Sequence, residues 1–107
     1  MPAYMIIAAK IADREAFLAG YAPAAAKLVT QFGGEYVLRA PGAEALEGAF
    51  GAKDFGGASV VISKWPDKAA ARAFWNSSEY AAAKALREGV AEVQVLLVEG
   101  PDIGGDT

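Results

Sequence analysis

The sequence predicts one α+β domain whose elements follow the order strand, helix, strand, strand, helix, strand. Two regions carry apolar residues at the spacing of an amphipathic helix, and four shorter segments have the composition and alternation of β-strands. Glycine, proline and aspartate stand between these segments, where they start or end elements. The chain has 107 residues, and this is a usual length for a single domain.

The composition narrows the chemistry that the chain can perform. Hydrophobic residues make up 54% of the sequence, which excludes a disordered chain, although 25 of them are alanine and bury little area each. The chain contains no cysteine and no histidine. We therefore expect no disulfide, thiolate nucleophile, zinc–thiolate site or histidine acid–base catalyst. The sequence predicts no metal site and no cofactor.

The distribution of charge and hydropathy indicates the partners and the location to expect. The net charge is −3, and the lysines and arginines are scattered, so we expect no nucleic-acid or membrane partner. The segment Met1–Tyr4 lacks the features of a secretion signal, and no apolar run reaches membrane-spanning length. We expect a cytoplasmic protein with one domain over residues 1–100 and a flexible tail over residues 101–107.

The first strand and the first helical region occupy the first third of the chain. The strand is predicted from Tyr4 to Ile11 and is largely apolar on both faces. Asp13 is the expected N-cap of the helix, whose apolar stripe is interrupted by Gly20 and Pro23. Pro23 would remove a helix hydrogen bond, so we expect the kink or break there. Gly33-Gly34 ends the helix.

The second strand is predicted from Glu35 to Ala40. Simple alternation puts Tyr36 and Leu38 on one face and Val37 and Arg39 on the other. Pro41-Gly42 then marks a turn or bulge, and residues 46–50 are interpreted as a possible continuation of this strand.

The second half of the chain repeats the pattern. A third strand is predicted over Ala58–Trp65, and Asp67 is the expected cap of the second helical region. Asn76-Ser77-Ser78 should interrupt that region and cap a further helix that reaches Leu86. The last strand is predicted over Ala91–Glu99.

Two strand–helix–strand units in tandem predict a ferredoxin-like βαββαβ fold with a four-stranded antiparallel sheet. Right-handed crossovers would place both helical regions on one face of this sheet. The other face would meet water and should then alternate apolar and polar residues, yet the first and last strands are apolar on both faces. A second copy of the same sheet is the simplest cover, which predicts a homodimer joined through the sheet faces.

Four stretches of the sequence resemble the successive signatures of an uncharacterised bacterial family, the domain of unknown function 1330. They extend over most of the chain, and the third is the most specific: Phe32-Gly33-Gly34-Glu35-Tyr36, Leu46-Glu47-Gly48, Ala71-Arg72-Ala73-Phe74-Trp75-Asn76-Ser77-Ser78-Glu79-Tyr80 and Val98-Glu99-Gly100. The resemblance implies a dimeric α/β-barrel protein with no established activity. Lys64 and Ser78 depart from the family pattern, which usually has an acid and often a proline there.

Arg39 and Glu47 are the first candidate site residues. Arg39 follows apolar neighbours on a strand, where its guanidinium is suited to bind a carboxylate through two hydrogen bonds. The alternative is a structural ion pair with Glu47 or another acid. Glu47 is a candidate general base if its surroundings bury it, because burial raises the pKa of a carboxyl group. Otherwise it is a solvated residue at a strand end.

The remaining candidates surround the break in the second helical region. Asn76 and Tyr80 have the groups to orient a polar ligand, with Tyr80 also a catalytic candidate, while Trp75 packs against the apolar part of the ligand. Arg87 lies seven residues after Tyr80, on the same helix face, and is a second candidate anion contact. The alternative is that Trp75 and Tyr80 belong to the core.

Two functions of different classes follow from these residues. The first is a cofactor-free enzyme or binding pocket for a small organic acid or carbonyl compound, with proton transfer by glutamate or oxyanion stabilisation by arginine and tyrosine. The second is a non-catalytic homodimeric module for assembly or ligand sensing. The sequence favours the first slightly.

Overall fold

The computed structural model describes residues 1–48 and 57–102 of the chain. Within these ranges it contains four strands and four helical segments, which form the predicted ferredoxin-like α+β fold. The strands are β1 (Ala3–Ile11), β2 (Glu35–Ala40), β3 (Ser59–Trp65) and β4 (Ala91–Glu99). The helices are α1 (Arg14–Ala19), α2 (Tyr21–Gln31), α3 (Lys68–Trp75) and α4 (Ser78–Ala85).

The strands form one sheet in the order β2-β3-β1-β4, and each neighbouring pair is antiparallel. The helices pack on one face of it. Val29 of α2 and Phe74 of α3 join Met5 of β1 in the same buried cluster. The sequence predicted this architecture correctly.

Side-chain caps start three of the helices, as predicted. The Asp13 carboxylate accepts from the Ala16 N–H at 3.0 Å, and the Asp67 carboxylate accepts from the Ala70 N–H at 2.8 Å. The Ser77 hydroxyl accepts from the Tyr80 N–H at 3.0 Å. Each cap satisfies one amide that the helix itself leaves unpaired.

The break in the first helical region lies at Gly20, three residues before the break that we expected at Pro23. Gly20 ends α1 and is the N-cap of α2. Pro23 therefore stands in the first turn of α2, where its missing N–H would have had no partner within the helix. Helix α2 continues without a break through the proline to Gln31.

The end of α2 is a Schellman motif built on two glycines. Gly33 has a φ of 89°, and its N–H donates to the Thr30 carbonyl at 3.1 Å while the Gly34 N–H donates to the Val29 carbonyl at 2.8 Å. A Cβ at Gly34 would lie 2.9 Å from three atoms of the Trp65 ring. Gly34 thus lets the chain turn directly against the buried indole.

Strand β2 contains an irregularity that reverses part of the predicted facing. Tyr36 pairs with Ser63 and Leu38 pairs with Ile62, so Val37 has no partner of its own and the register shifts between them. Such a bulge exchanges the two faces beyond it. Arg39 consequently shares the helix-covered face with Tyr36, and the prediction that separated them was wrong.

The face away from the helices, which we call the open face, carries many apolar side chains. Leu96 is 64% exposed, Leu38 42%, Val98 39% and Ile6 36%.

None of the helices in the described ranges has the length and apolar character needed to cross a membrane.

The structure describes part of the segment after β2 and part of the predicted tail. Residues 46–48 are not in a strand, and residues 49 and 50 of the possible extension of β2 lie outside the described residues. At the predicted tail, the Tyr4 hydroxyl donates to the Pro101 carbonyl at 3.1 Å, and Lys64 pairs with Asp102. Residues 103–107 lie outside the described part.

Candidate functional site

A cavity of about 250 Å³, which we call the large cavity because a smaller one adjoins it, lies between the sheet and the first two helices. Its sheet side is formed by helix-facing side chains of all four strands, and its helix side by apolar residues of α1 and α2. The main apolar contributors are Ile7, Ala9, Ile11, Val61, Val93, Phe17, Leu18, Ala22 and Ala25. An engineered cavity of about 150 Å³ takes up benzene. By that measure the large cavity accommodates a ligand of about ten non-hydrogen atoms.

Two arginines bring positive charge to this apolar cavity. Arg14 of α1 and Arg39 of β2 both line it and are exposed. The Arg39 guanidinium lies 4.4 Å from the centroid of the Tyr36 ring, a cation–π distance. No ion pair joins either arginine to an acid among the described residues. Their charge is therefore available to an anion at the exposed rim.

A second cavity of about 20 Å³, the small cavity, continues the large one along the strands. The two share Ile7, Tyr21, Ala25 and Tyr36 in their walls. On β3 the small cavity is lined by Ser63 and the large one by Val61 and Ser59. Since a strand rises about 3.3 Å per residue, the small cavity lies roughly 7 Å further along the sheet.

A group of three polar side chains, the tyrosine–arginine cluster, lies at the junction of the two cavities. The hydroxyl oxygens of Tyr21 and Tyr80 are 2.7 Å apart. Arg87 Nη1 donates to the Tyr21 hydroxyl at 3.2 Å and to the Tyr80 hydroxyl at 3.3 Å. The α2 helix thus supplies one tyrosine, α4 supplies the other, and the segment after α4 supplies the cation.

The electrostatics of this cluster favour a neutral Tyr80. Burial, supported by the neighbouring Tyr21, raises the pKa of the Tyr80 hydroxyl well above its ordinary value, although Arg87 acts in the opposite direction. Burial likewise raises the pKa of Tyr36. Tyr80 consequently keeps its proton at neutral pH, so it is suited to donate a hydrogen bond rather than to act as a general base.

The structure brings four of the six candidate residues to these cavities. Arg39 lines the large cavity, while Trp75, Tyr80 and Arg87 line the small one. The Trp75 ring packs against Tyr80 with centroids 5.3 Å apart. Tyr80 is 2% exposed and belongs to the buried core as well as to the cavity wall.

Glu47 and Asn76 line neither cavity. Glu47 is an exposed residue in the segment after β2, and Asn76 is an exposed residue at the C-cap of α3. The ion pair that would make Arg39 structural, with Glu47 as its partner, is not among the ion pairs of the described residues.

Three contributors to the site were not selected from the sequence. Tyr36 was assigned to the face opposite Arg39, and neither Tyr21 nor Arg14 was among the candidate residues. The spacing of Tyr21 on the apolar stripe of its helix would have predicted that its ring faces the sheet. Nothing in the sequence pattern indicates that its hydroxyl meets Tyr80, which is 59 positions away.

The order of strands and the single layer of helices define a ferredoxin-like α+β fold. The chain belongs to the family DUF1330, a domain of unknown function, whose family model matches residues 2–101. This confirms the resemblance seen in the sequence. None of the curated proteins matches the chain.

Solved structures with the same fold are distant in sequence. A protein of unknown function from Rhodopseudomonas palustris has a TM-score of 0.73 at 19% identity, over 94% of this chain and 83% of that one. SnoaB, a cofactor-independent oxygenase from Streptomyces nogalater, has a TM-score of 0.66 at 13% identity, over 94% of both chains. At these identities the likeness shows the fold alone.

Proposed function

We propose that this chain binds a small, mainly apolar organic acid in the large cavity, with the carboxylate of the ligand between Arg14 and Arg39. One observation carries the proposal: two arginines without an ion-pair partner among the described residues stand at the rim of an otherwise apolar cavity. Apolar walls with few polar groups are typical of small-molecule sites. A guanidinium is suited to a carboxylate because it offers paired N–H donors in one plane.

The tyrosine–arginine cluster in the adjoining small cavity supports a reaction that needs no cofactor. Protonated tyrosines beside Arg87 are hydrogen-bond donors for a developing oxyanion. SnoaB, which shares the fold, is a cofactor-independent oxygenase. We therefore propose that the function has one of two forms. The first, which should be assayed, is a cofactor-free enzyme acting on an organic acid or carbonyl compound. The second is a non-catalytic binding protein.

Arg39→Ala is expected to abolish most of the stabilisation that a bound acid confers. We would screen benzoate-sized carboxylates by thermal shift at saturating concentration. A ligand at 100 times its dissociation constant adds about 2.7 kcal/mol to the free energy of unfolding. For a domain of this size that corresponds to roughly 10 °C in Tm. Removing the guanidinium should remove the larger part of this shift.

Arg72→Ala is the matched control for this experiment. Arg72 is also an exposed arginine, but it lies on α3 and lines neither cavity. The variant should keep the full ligand shift. A shift of equal size in wild type and both variants would show that Arg39 does not hold the acid. A screen without any shift would contradict the proposal as a whole.

We also propose that two copies of the chain associate through their open faces. The support is the set of exposed apolar side chains on that face, with Leu96 the most exposed of them at 64%. A self-complementary apolar patch on a sheet is buried most simply against its own copy. From the sequence alone, we also propose a cytoplasmic location.

Leu96→Arg should convert the dimer into a monomer, because it places two charges in the proposed apolar interface. Sedimentation velocity at micromolar concentration would measure the change. Leu86→Arg is the control, since Leu86 is a 49% exposed leucine at the end of α4 in the helix layer. A wild-type protein that sediments as a monomer would refute the dimer, and a monomer produced equally by both variants would remove the open face from the explanation.

A further inference from the structure

We infer that the hydroxyl pair of Tyr21 and Tyr80 is a subsite for a carbonyl or enolate oxygen of the ligand. The ligand class is then an acid that also carries a carbonyl group. This inference rests on the proposed function, since it assumes that an acid occupies the large cavity. It adds a second recognition point, at the junction of the two cavities.

The number of hydroxyl protons in the cluster indicates the subsite. Two tyrosine hydroxyls supply two protons, and the bond between their oxygens, 2.7 Å apart, uses one of them. The bonds from Arg87 use protons of the guanidinium, so both oxygens accept there. The second hydroxyl proton has no acceptor among the described residues. One strong donor is therefore left for a group that is not part of the protein.

The positive charge of Arg87 determines which kind of ligand group suits this hydrogen-bond donor. Arg87 Nη1 donates to both hydroxyl oxygens, which polarises the O–H bonds and strengthens them as donors. A ligand cation would be repelled by the guanidinium charge. A carbonyl or enolate oxygen meets a donor and a positive charge at once. The cluster is thus complementary to an electron-rich oxygen.

The size of the small cavity agrees with this role. At about 20 Å³ it has room for one atom of the size of a water oxygen. The wall it shares with the large cavity includes Tyr21. A ligand whose body fills the large cavity can therefore place a single oxygen at the hydroxyl pair while its carboxylate stays at the exposed rim beside Arg39.

Two pairs of probes test the subsite by changing one atom. 3- and 4-acetylbenzoate carry a C=O group where 3- and 4-isopropenylbenzoate carry C=CH2, and the members of each pair have the same number of non-hydrogen atoms. Isothermal titration calorimetry with wild type should show the ketone of at least one pair binding roughly three- to tenfold more tightly, the value of one net hydrogen bond. In the double variant Tyr21→Phe/Tyr80→Phe this preference should fall to about onefold. Both tyrosines are changed together because either alone keeps a hydroxyl proton.

A spectroscopic readout separates recognition from structural support. The carbonyl stretch of bound acetylbenzoate should lie at lower frequency in wild type than in the double variant, because a hydrogen bond weakens the C=O bond. If the double variant does not fold, the wild-type spectrum decides alone. A bound carbonyl that absorbs at the frequency of the ketone in an apolar solvent would overturn the inference.

The remaining outcomes distinguish this inference from the proposed function. Equal affinity of wild type for ketone and alkene, with both lost in Arg39→Ala, would overturn the carbonyl subsite and leave the acid pocket standing. A preference for the ketone that persists unchanged in the double variant would also overturn the subsite. Absence of binding by all four probes would count against the subsite and the acid pocket together.

Discussion

Trp65→Ala is expected to lower the free energy of unfolding by about 3–5 kcal/mol, as large-to-small changes of buried tryptophan do. Trp65 is 1% exposed, and its ring packs against Phe74 with centroids 4.9 Å apart. Its Nε1 donates to the Ser63 hydroxyl at 2.9 Å. The substitution would leave a cavity and remove the donor for a buried hydroxyl. Urea unfolding followed by far-ultraviolet circular dichroism would measure the loss.

Trp75→Ala is the control for this substitution, because it deletes the same side chain from a partly exposed position. One side of the Trp75 ring meets Lys84, whose Nζ lies 4.6 Å from the ring centroid. We expect less than half of the loss seen for Trp65. Equal losses for the two variants would mean that the aromatic core beneath β3 does not dominate the stability of the domain.

The architecture was predictable because its signals are local. Asp13, Asp67 and Ser77 cap helices through bonds to residues three positions ahead, and such spacing can be read directly from the sequence. The bounds of β4 were predicted correctly for the same kind of reason, since an alternating run ends at Gly100. The single misplaced break depended on the position of Pro23 within its helix, which a pattern does not give.

The facing of β2 was not predictable from alternation. A bulge adds one residue to a strand and leaves no fixed signature in composition. The shift between Tyr36 and Leu38 brings Arg39 to the helix-covered face, which is what makes it a wall of the large cavity. The sequence indicated Arg39 as a candidate, but it did not indicate the Tyr36 ring that lies beneath its guanidinium.

The candidate site was partly predictable for a related reason. Tyr80 and Arg87 are seven residues apart, so helical spacing indicated that they share a face. Tyr21 joins them from a separate helix, and Arg14 of α1 lines the adjoining large cavity. Contacts between distant segments depend on how the helices pack on the sheet, and a single sequence does not specify that.

Gly34→Ala is expected to destabilise the protein by about 1–3 kcal/mol, the usual cost of overpacking. The added Cβ would lie 2.9 Å from three atoms of the Trp65 ring, closer than carbon atoms pack, so the indole or the backbone would have to move. Gly100→Ala is the control. A Cβ there would have nothing within 4 Å, so its effect should stay within about 0.5 kcal/mol.

A double-mutant cycle identifies the contact responsible. In a Trp65→Leu background the ring atoms that oppose the new Cβ are gone, so Gly34→Ala should cost close to nothing, which gives a coupling energy of about 1–3 kcal/mol for residues in direct contact. A full penalty that persists without the indole would instead assign the requirement for glycine to the end of α2. Gly33, with its φ of 89°, and the Gly34 N–H bond to Val29 would then determine how the chain enters β2.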